Sequence, residues 1–280
     1  RREAKPELES EESESKQQTA EASTASVELR RRLRASLRTR MIFRQLFDRE
    51  SCTYTYILGC EKTREAALID PVLELVDRDA QMLEELDLNL KYAVNTHVHA
   101  DHIFGNKALK KLIPGVKSVL GEEGNEEAMA DIRLAEGDVL DVGETVKIEF
   151  LSTPGHTNGC HTLIVHDDGK TMAFTGDTVL IRGCGRTDFQ QGDSKSMYEN
   201  VHKKIFTLPD DTIIYPAHDY RGRLNSTVAE EKKFNPRLTK SLDEFIDIMN
   251  NLNLPYPTKI DESLPANLVC GLHEVPPAKK

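Results

Sequence analysis

Four side chains that can bind a metal ion lie within six residues of the sequence. The run THVHADH at residues 96–102 contains His97, His99, Asp101 and His102, between a strand-like segment and a short helical one. In an extended turn, two imidazoles at positions i and i+2 can point at one spot, and the following Asp and His at a neighbouring spot. Neutral imidazole and carboxylate are ligands of borderline cations such as zinc, iron and manganese. A single His is more often structural, but four such residues this close favour a metal site.

Three more ligand-type residues follow apolar segments further along the chain. His156 lies in TPGH, Asp177 in FTGD and His218 in IIYPAH, each just after a strand-like run. Any one of them alone would be an ordinary turn residue. Because binding residues gather on loops at the edge of a rigid sheet, the four strand ends together predict one site.

The elements that would position these residues alternate between two strand blocks and several helices. Strand-like segments rich in β-branched and aromatic residues lie at 41–47, 52–60, 66–72, 90–96, 117–120, 139–153, 160–169, 171–180 and 212–218. Helical periodicity is found at 76–88, 105–115, 195–209 and 238–254. This order predicts an α/β fold with packed sheets inside and helices outside.

Composition excludes several classes of protein. The chain has 280 residues and a net charge of −10, which argues against nucleic-acid binding. No apolar run approaches the roughly 20 residues that span a bilayer, so we expect no membrane segment. The five cysteines form no CxxC pair, which disfavours a disulfide scaffold and favours a reducing compartment.

The first forty residues differ from the rest. Residues 1–26 are rich in Glu, Ser, Ala and Lys, and we expect residues 1–40 to be a disordered tail. Residues 27–40 carry six Arg and an apolar period, as in the end of an organelle-targeting segment, although acidic residues precede them. Residues 41–280 are expected to form one catalytic domain whose C-terminal end is helical.

The pattern HxHxDH, then single His, Asp and His residues, resembles the metallo-β-lactamase superfamily. This resemblance implies an αββα sandwich of two packed mixed sheets with outer helices. In its binuclear members, one metal takes the counterparts of His97, His99 and His156. The other takes those of Asp101, His102 and His218, and the counterpart of Asp177 bridges the two metals.

A narrower resemblance is to the persulfide dioxygenase, or ethylmalonic encephalopathy protein, family. It rests on the segments 43–56 (FRQLFDRESCTYTY), 174–189 (FTGDTVLIRGCGRTDF), 213–220 (IIYPAHDY), 235–240 (NPRLTK) and 265–271 (PANLVCG). It implies oxidation of glutathione persulfide with O2 to sulfite and glutathione in sulfide catabolism. It also implies one Fe(II) per chain and a homodimer. Together with the Arg-rich stretch it favours the mitochondrial matrix, with the cytoplasm as the alternative.

The narrower resemblance also assigns individual residues. It places the iron on His97, His156 and Asp177, and a glutathione carboxylate on Arg186. Tyr220 and Cys270 match positions close to the metal. Cys184 is a further thiol that could lie near the site, although a Cys without an evident base is more often simply buried.

The chemistry of two His and one carboxylate agrees with that assignment. Such a facial triad leaves positions open on a non-haem Fe(II) ion, as in oxygenases. An Fe²⁺ ion with one carboxylate ligand keeps net positive charge, which favours an anionic persulfide sulfur. The sequence leaves open whether His99, Asp101, His102 and His218 bind a second metal or orient the ligands of the first.

Two other functions remain as alternatives. A glyoxalase II-like thioester hydrolase would use two metals and a bridging hydroxide, but only 62 residues follow His218, too few for the full helical domain of that enzyme. A non-catalytic metal-binding or thiol-sensing protein would be expected to have broken ligand positions, and all seven positions are filled here.

Overall fold

A computed structural model describes residues 41–274 of the chain, so the predicted tail at 1–40 lies outside the described residues. The strands are β1 Met41–Phe47, β2 Tyr54–Cys60, β3 Glu65–Ile69, β4 Asn89–Val94, β5 Lys117–Gly121, β6 Ile132–Leu134, β7 Val139–Val142, β8 Val146–Ser152, β9 His161–Asp167, β10 Lys170–Gly176, β11 Ile213–Pro216 and β12 Ser226–Thr227. The helices are α1 Val76–Glu85, α2 Asn106–Leu112, α3 Ser194–Asn200, α4 Val228–Phe234, α5 Leu242–Asn250 and α6 Ile260–Leu268. A 3₁₀ turn at Leu73–Leu75 precedes α1, and a π-helical turn at Val201–Ile205 extends α3.

The strands form two six-stranded mixed sheets, one from each half of the described chain. The first sheet has the order β1-β2-β3-β4-β5-β6 and the second has the order β12-β11-β10-β9-β8-β7. In the first sheet β3, β4, β5 and β6 run parallel, and in the second only β10 and β11 do. Parallel neighbours end at the same edge of a sheet, so loops from several strands emerge together there.

A shared apolar layer packs the two sheets face to face. Tyr56 and Leu58 of β2 meet Phe150 of β8 and Phe174 of β10 in one buried cluster. Ile57, between them in sequence, faces the opposite way, into the layer beneath α1 and α2. Alternate residues of β2 therefore serve two layers, which explains why the whole strand is buried.

Helices cover both outer faces. Leu83 of α1 and Leu109 of α2 pack on the first sheet, while Met197 of α3 and Phe245 of α5 pack on the second. The predicted αββα sandwich is confirmed. No helix among residues 41–274 is long and apolar enough to cross a membrane.

The structure corrects some predicted elements. The segment 139–153 is a hairpin of β7 and β8 rather than one strand, because Gly143 adopts a left-handed φ of 63° at the turn. The short strands β6 and β12 and the helix α4 were not predicted from the sequence, and α6 lies in the C-terminal end that was expected to be helical but was given no bounds.

Candidate metal centre

The site lies where the ends of strands from both sheets meet. The HxHxDH run follows β4, His156 follows β8, Asp177 follows β10 and His218 follows β11. Backbone contacts join the two sheets here. The amide of His161, at the start of β9, donates to the carbonyl of Thr96, just after β4 (2.8 Å). Thr53, just before β2, forms an isolated β-bridge with His218, just after β11. The predicted convergence of four strand ends on one site therefore matches the geometry.

The first ligand cluster consists of His97, His156 and Asp177. One ligand atom from each lies within 4.8 Å of the other two. The Nδ1 atoms are already engaged, in His97 with the Thr96 hydroxyl (3.0 Å) and in His156 with the Arg186 carbonyl (2.6 Å). These contacts fix both rings and leave each Nε2 for a metal, as outer hydrogen bonds do in metal sites.

The donor atoms of this cluster fit a divalent transition metal. Nε2 of His156 lies 3.6 Å from Oδ2 of Asp177, too far for a hydrogen bond but close to the separation of two ligands that share one ion at about 2.0–2.2 Å. Burial lowers the pKa of His97 well below its ordinary value, so the ring is neutral, as a metal ligand must be. Burial alone would raise the pKa of Asp177, but His218 and His156 hold it below its ordinary value.

The second cluster consists of His99, Asp101, His102 and His218. Hydrogen bonds connect three of its members: Nε2 of His218 contacts Asp101 (2.8 Å), and Nδ1 of His102 contacts Asp101 (3.1 Å). The other ring nitrogen of His218, Nδ1, contacts Asp177 of the first cluster (2.7 Å). Burial would lower the pKa of His218, but the carboxylates of Asp177 and Asp101 hold it well above its ordinary value. The protonated ring thus links the two clusters.

His99 is grouped differently from what the superfamily resemblance implies. It lies with the second cluster rather than with His97 and His156. Its Nε2 is 3.0 Å from Oδ1 of Asp70, but without hydrogen-bond geometry, and both ring nitrogens are buried without a hydrogen-bond partner. Nε2 of His102 is likewise buried without a hydrogen bond, so the second cluster retains free donor atoms.

A cleft of about 840 Å³ leads to the clusters from outside. It is lined by four of the seven ligand residues, namely Asp101, His156, Asp177 and His218. The two predicted substrate residues also line it. Tyr220 is 71% exposed and its ring stacks over His218 at 6.1 Å between centroids.

Arg186 is held in place by several contacts. Its guanidinium binds Asp188 through two hydrogen bonds (2.6 and 2.7 Å), donates to the Pro255 carbonyl (2.8 Å) and lies 4.6 Å from the Phe189 ring centroid. Arg186 therefore forms an ion pair within the chain and also lines the cleft.

The two cysteine candidates occupy different places. Cys184 is buried against Met249 but borders the cleft, and burial raises its pKa to about 11, so it is a thiol rather than a thiolate at neutral pH. Cys270 is buried beside Val98 and Leu120, beneath the His run, and is not among the residues that line the cleft.

Several site residues were missed by sequence reasoning. Asp70 accepts hydrogen bonds from the amide and hydroxyl of Thr96 (2.8 and 2.9 Å), and Thr53 contacts Nε2 of His218 (3.1 Å). Asn267 of α6 donates to the carbonyls of His99 and His102 (2.9 and 2.8 Å). These residues fix the ligand loop. Thr53 and Asn267 lie in segments that carry the family resemblance, but nothing in the sequence marked them, or Asp70, as site residues.

Comparisons with known proteins identify the family of the chain. The metallo-β-lactamase superfamily model matches residues 49–218. The chain is 55% identical over 236 residues to "Persulfide dioxygenase ETHE1, mitochondrial" of Mus musculus, covering 84% of this chain and 91% of that protein. The Homo sapiens protein of the same name is also 55% identical, over 83% of this chain and 89% of that protein.

A solved structure and a more distant relative complete the comparison. The crystal structure of ETHE1 from Myxococcus xanthus is 50% identical, with a TM-score of 0.78, covering 83% of this chain and 100% of that one. A probable hydroxyacylglutathione hydrolase, glo2, of Schizosaccharomyces pombe is 32% identical over 68% of this chain and 72% of that protein. The chain therefore belongs to the metallo-β-lactamase superfamily and, within it, to the ETHE1 persulfide dioxygenase family.

Proposed function

We propose that this chain is an iron-dependent persulfide dioxygenase that oxidises glutathione persulfide. The reaction consumes O2 and water and yields glutathione and sulfite, so the outer sulfur loses four electrons and O2 gains them. The observation that carries the proposal is the convergence of His97, His156 and Asp177 in a chain 55% identical to persulfide dioxygenases.

The ligand set favours one ferrous ion. Two neutral imidazoles and one carboxylate are the donors of mononuclear non-haem Fe(II) oxygenases. When bound, the iron would offer open positions for the persulfide sulfur and for O2. The chain's own part is to fix the ligands: His218 holds Oδ1 of Asp177, and the Arg186 carbonyl holds the ring of His156.

The cleft supplies the remaining features that a glutathione persulfide needs. Its volume of about 840 Å³ lies within the range of small-molecule sites, ~300–1,000 Å³. Tyr220 offers an exposed hydroxyl beside His218, and Arg186 offers a planar guanidinium that suits a carboxylate. We propose both as substrate contacts. Because Arg186 is already paired with Asp188, binding would share or replace that ion pair.

The second cluster favours one alternative, a binuclear thioester hydrolase. His99, Asp101, His102 and His218 could hold a second ion, and hydroxyacylglutathione hydrolases are among the relatives. The hydrogen bonds from His218 to both Asp101 and Asp177 weigh against it, because a second metal would have to displace the proton that links them.

Metal analysis combined with oxygen consumption tests the proposal. We expect about one iron per chain, O2 uptake with glutathione persulfide, and sulfite as product. His156→Ala should lose iron and activity. His166→Ala serves as the matched control, because His166 is exposed and its ring forms a hydrogen bond with Thr171, which belongs to neither ligand cluster. Two zinc ions per chain with rapid hydrolysis of lactoylglutathione in the absence of O2 would establish the hydrolase instead.

We also propose that the protein is a homodimer and that it lies in the mitochondrial matrix. The names of its relatives support a mitochondrial location. Sedimentation equilibrium should give twice the chain mass of 31.5 kDa. Import of the full-length precursor into isolated mitochondria, with protection from added protease, checks the location.

A further inference from the structure

Two consecutive glutamines, Gln190 and Gln191, adopt a left-handed backbone conformation in the loop that precedes α3. Their φ angles are 49° and 58°, and the amide of Gly192 donates to the carbonyl of Phe189 (2.8 Å), which closes a tight turn around them. Such a turn usually has Gly or Asn at its centre, because the side chains of other residues meet the backbone there. Backbone strain that persists beside a candidate site points to a role in that site.

Gln190 connects three loops, each of which carries one residue of the first cluster. It belongs to the loop that begins at Asp177, after β10. Its side-chain Nε2 donates to the carbonyl of Val98 (2.7 Å), within the HxHxDH run after β4. Its own carbonyl accepts from the amide of Asn158 (3.3 Å), in the loop of His156. A change at Gln190 can therefore alter how the three ligand loops lie against one another.

The contact with Val98 fixes the backbone between two imidazoles. The side chain of Val98 is buried in a cluster with Leu120, and its carbonyl is held by Gln190. This carbonyl belongs to the peptide that joins Val98 to His99, so its direction sets how the chain turns between His97 and His99. The two rings are 3.9 Å apart between centroids and yet belong to different clusters. A small rotation of this peptide would therefore move an imidazole from one cluster toward the other.

The length and the amide of Gln190 both match this contact. Asn would suit a left-handed turn better, but it is one methylene shorter and could not reach the Val98 carbonyl from the same backbone. Glu has the same length, but its carboxylate has no N–H to donate. Gln191 differs, because it is exposed and its side chain contacts that of Asn158. The two glutamines therefore share the strained turn but not the contact with the HxHxDH run.

We propose that Gln190 is a positioning residue of the metal centre, whose hydrogen bond to the Val98 carbonyl keeps His97 in the first cluster. The inference rests on the proposed function in one respect, namely that the first cluster binds the metal, and it does not depend on the substrate. The left-handed turn brings the side chain of Gln190 to this carbonyl, which gives the backbone strain a function.

Titration of the full chain with Co²⁺, in competition with a chelator, tests the assignment. Co²⁺ accepts imidazole and carboxylate ligands, and its visible absorption depends on their geometry. Gln190→Asn and Gln190→Glu should each bind Co²⁺ about tenfold to a hundredfold more weakly, as variants of outer hydrogen-bond partners of metal ligands do. Gln191→Asn is the matched control, because it makes the same change at the neighbouring left-handed residue. Its affinity should change by less than about twofold.

The absorption spectrum at saturating Co²⁺ separates positioning from a structural effect. A variant that is only less stable binds metal in a smaller folded fraction, but the ligands around each bound ion keep their geometry. The absorption bands should therefore shift in both Gln190 variants and stay unchanged in Gln191→Asn. Gln190→Asn is expected to fold, because Asn tolerates the left-handed conformation. Unchanged bands in both Gln190 variants would overturn the assignment, whatever their affinities.

Two further measurements keep this inference and the proposed function apart. If His156→Ala retains the Co²⁺ affinity and spectrum of the unaltered protein, the first cluster is not the metal site and both are wrong. If His156→Ala loses the metal but the Gln190 variants keep the parental spectrum, the metal centre stands and the role of Gln190 is wrong. If the Gln190 variants shift the spectrum but the iron-loaded parent consumes no O2 with glutathione persulfide, the oxidation is wrong and the role of Gln190 stands.

Discussion

The two clusters are built from the same residue types but differ in how their members hydrogen-bond to one another. In the first, one nitrogen of His97 and of His156 is free and both face Asp177. In the second, His218 uses both ring nitrogens, one on Asp177 and the other on Asp101. Under the proposed function the first cluster binds the iron, and the hydrogen bonds of His218 orient Asp177.

Asp101→Asn tests this division of roles. An amide cannot hold the charged His218 as a carboxylate does, so Asp177 loses part of its support. We expect iron affinity to fall about tenfold to a hundredfold, while the saturated protein still binds one iron. Competition with a chelator gives the affinity, and elemental analysis gives the stoichiometry.

The control for this substitution is Asp141→Asn, which removes a surface carboxylate paired with Lys147. It should leave iron binding unchanged. A fall from two metals to one in Asp101→Asn would instead identify Asp101 as a ligand of a second ion.

Sequence reasoning found the candidate ligands but not the residues that hold them in place. The candidate ligands could be predicted because their residue types and their positions after apolar runs can be read directly from the sequence. They include His97, His156, Asp177 and His218. Asn267 could not, since it reaches the carbonyls of His99 and His102 from 165 or more residues away. An Asn in an apolar context has many possible partners, and only the tertiary structure selects one.

At the scale of elements, the strands were predicted better than the short helices near the C-terminus. Long alternating runs such as β2 and β10 carry a clear signal, whereas β12 has two residues and gains its strand character from pairing with β11. Helix α6 contains Pro265, which a sequence rule treats as a helix breaker. Its packing of Ala266 against Leu73 and Ile103 stabilises the helix in spite of that proline.

The segment from Gly183 to Gly185 packs closely against two candidate metal ligands, Asp177 and His156. A Cβ on Gly185 would lie 2.7 Å from the Asp177 carbonyl oxygen and 2.8 Å from Nδ1 of His156. A Cβ on Gly183 would meet only Leu180, at 3.9 Å, which is an ordinary contact. The same chemical change at these two glycines should therefore have very different results.

We expect Gly185→Ala to reduce iron content and oxygen consumption by more than tenfold, because the added methyl group must displace His156 or the Asp177 backbone. Gly183→Ala should retain more than half of both. Elemental analysis and oxygen-electrode assays on the two purified variants provide the comparison. Equal iron content in the two variants would show that the loop moves to accommodate the methyl group without disturbing the ligands.

At the scale of the whole molecule, each half of the described chain supplies one sheet and part of the site. The HxHxDH run comes from the first sheet, and His156, Asp177 and His218 come from the second. The metal ligands therefore meet only when the two sheets are packed. The sandwich could be predicted from the order of the elements, but the strand order could not, because both sheets mix parallel and antiparallel neighbours.

One buried carboxylate far from the site affects the stability of the whole fold. Asp79 of α1 is fully buried, and Arg78 donates to its Oδ1 (2.9 and 2.7 Å), while Oδ2 has no hydrogen-bond partner. Burial raises its pKa to about 6, against the opposing effect of Arg78. The folded protein therefore retains a proton on Asp79 at pH values where the unfolded chain has already released it.

The sign of the effect on stability follows from proton linkage. Between about pH 4 and pH 6 the folded state binds more protons at this site than the unfolded state, so the free energy of unfolding falls as the pH rises. Asp79→Asn cannot titrate and avoids this loss. Relative to the unaltered protein, the variant should gain roughly 2–3 kcal/mol from pH 4 to pH 7. Urea unfolding across that range gives the difference, in which effects of metal release common to both proteins cancel.

Asp77→Asn, at an exposed position of the same helix, is the matched control. The free energy of unfolding of each variant is compared with that of the unaltered protein. If this difference had the same pH dependence for Asp79→Asn as for Asp77→Asn, the Asp79 carboxylate would stay charged inside the fold. Arg78 would then compensate fully for its burial.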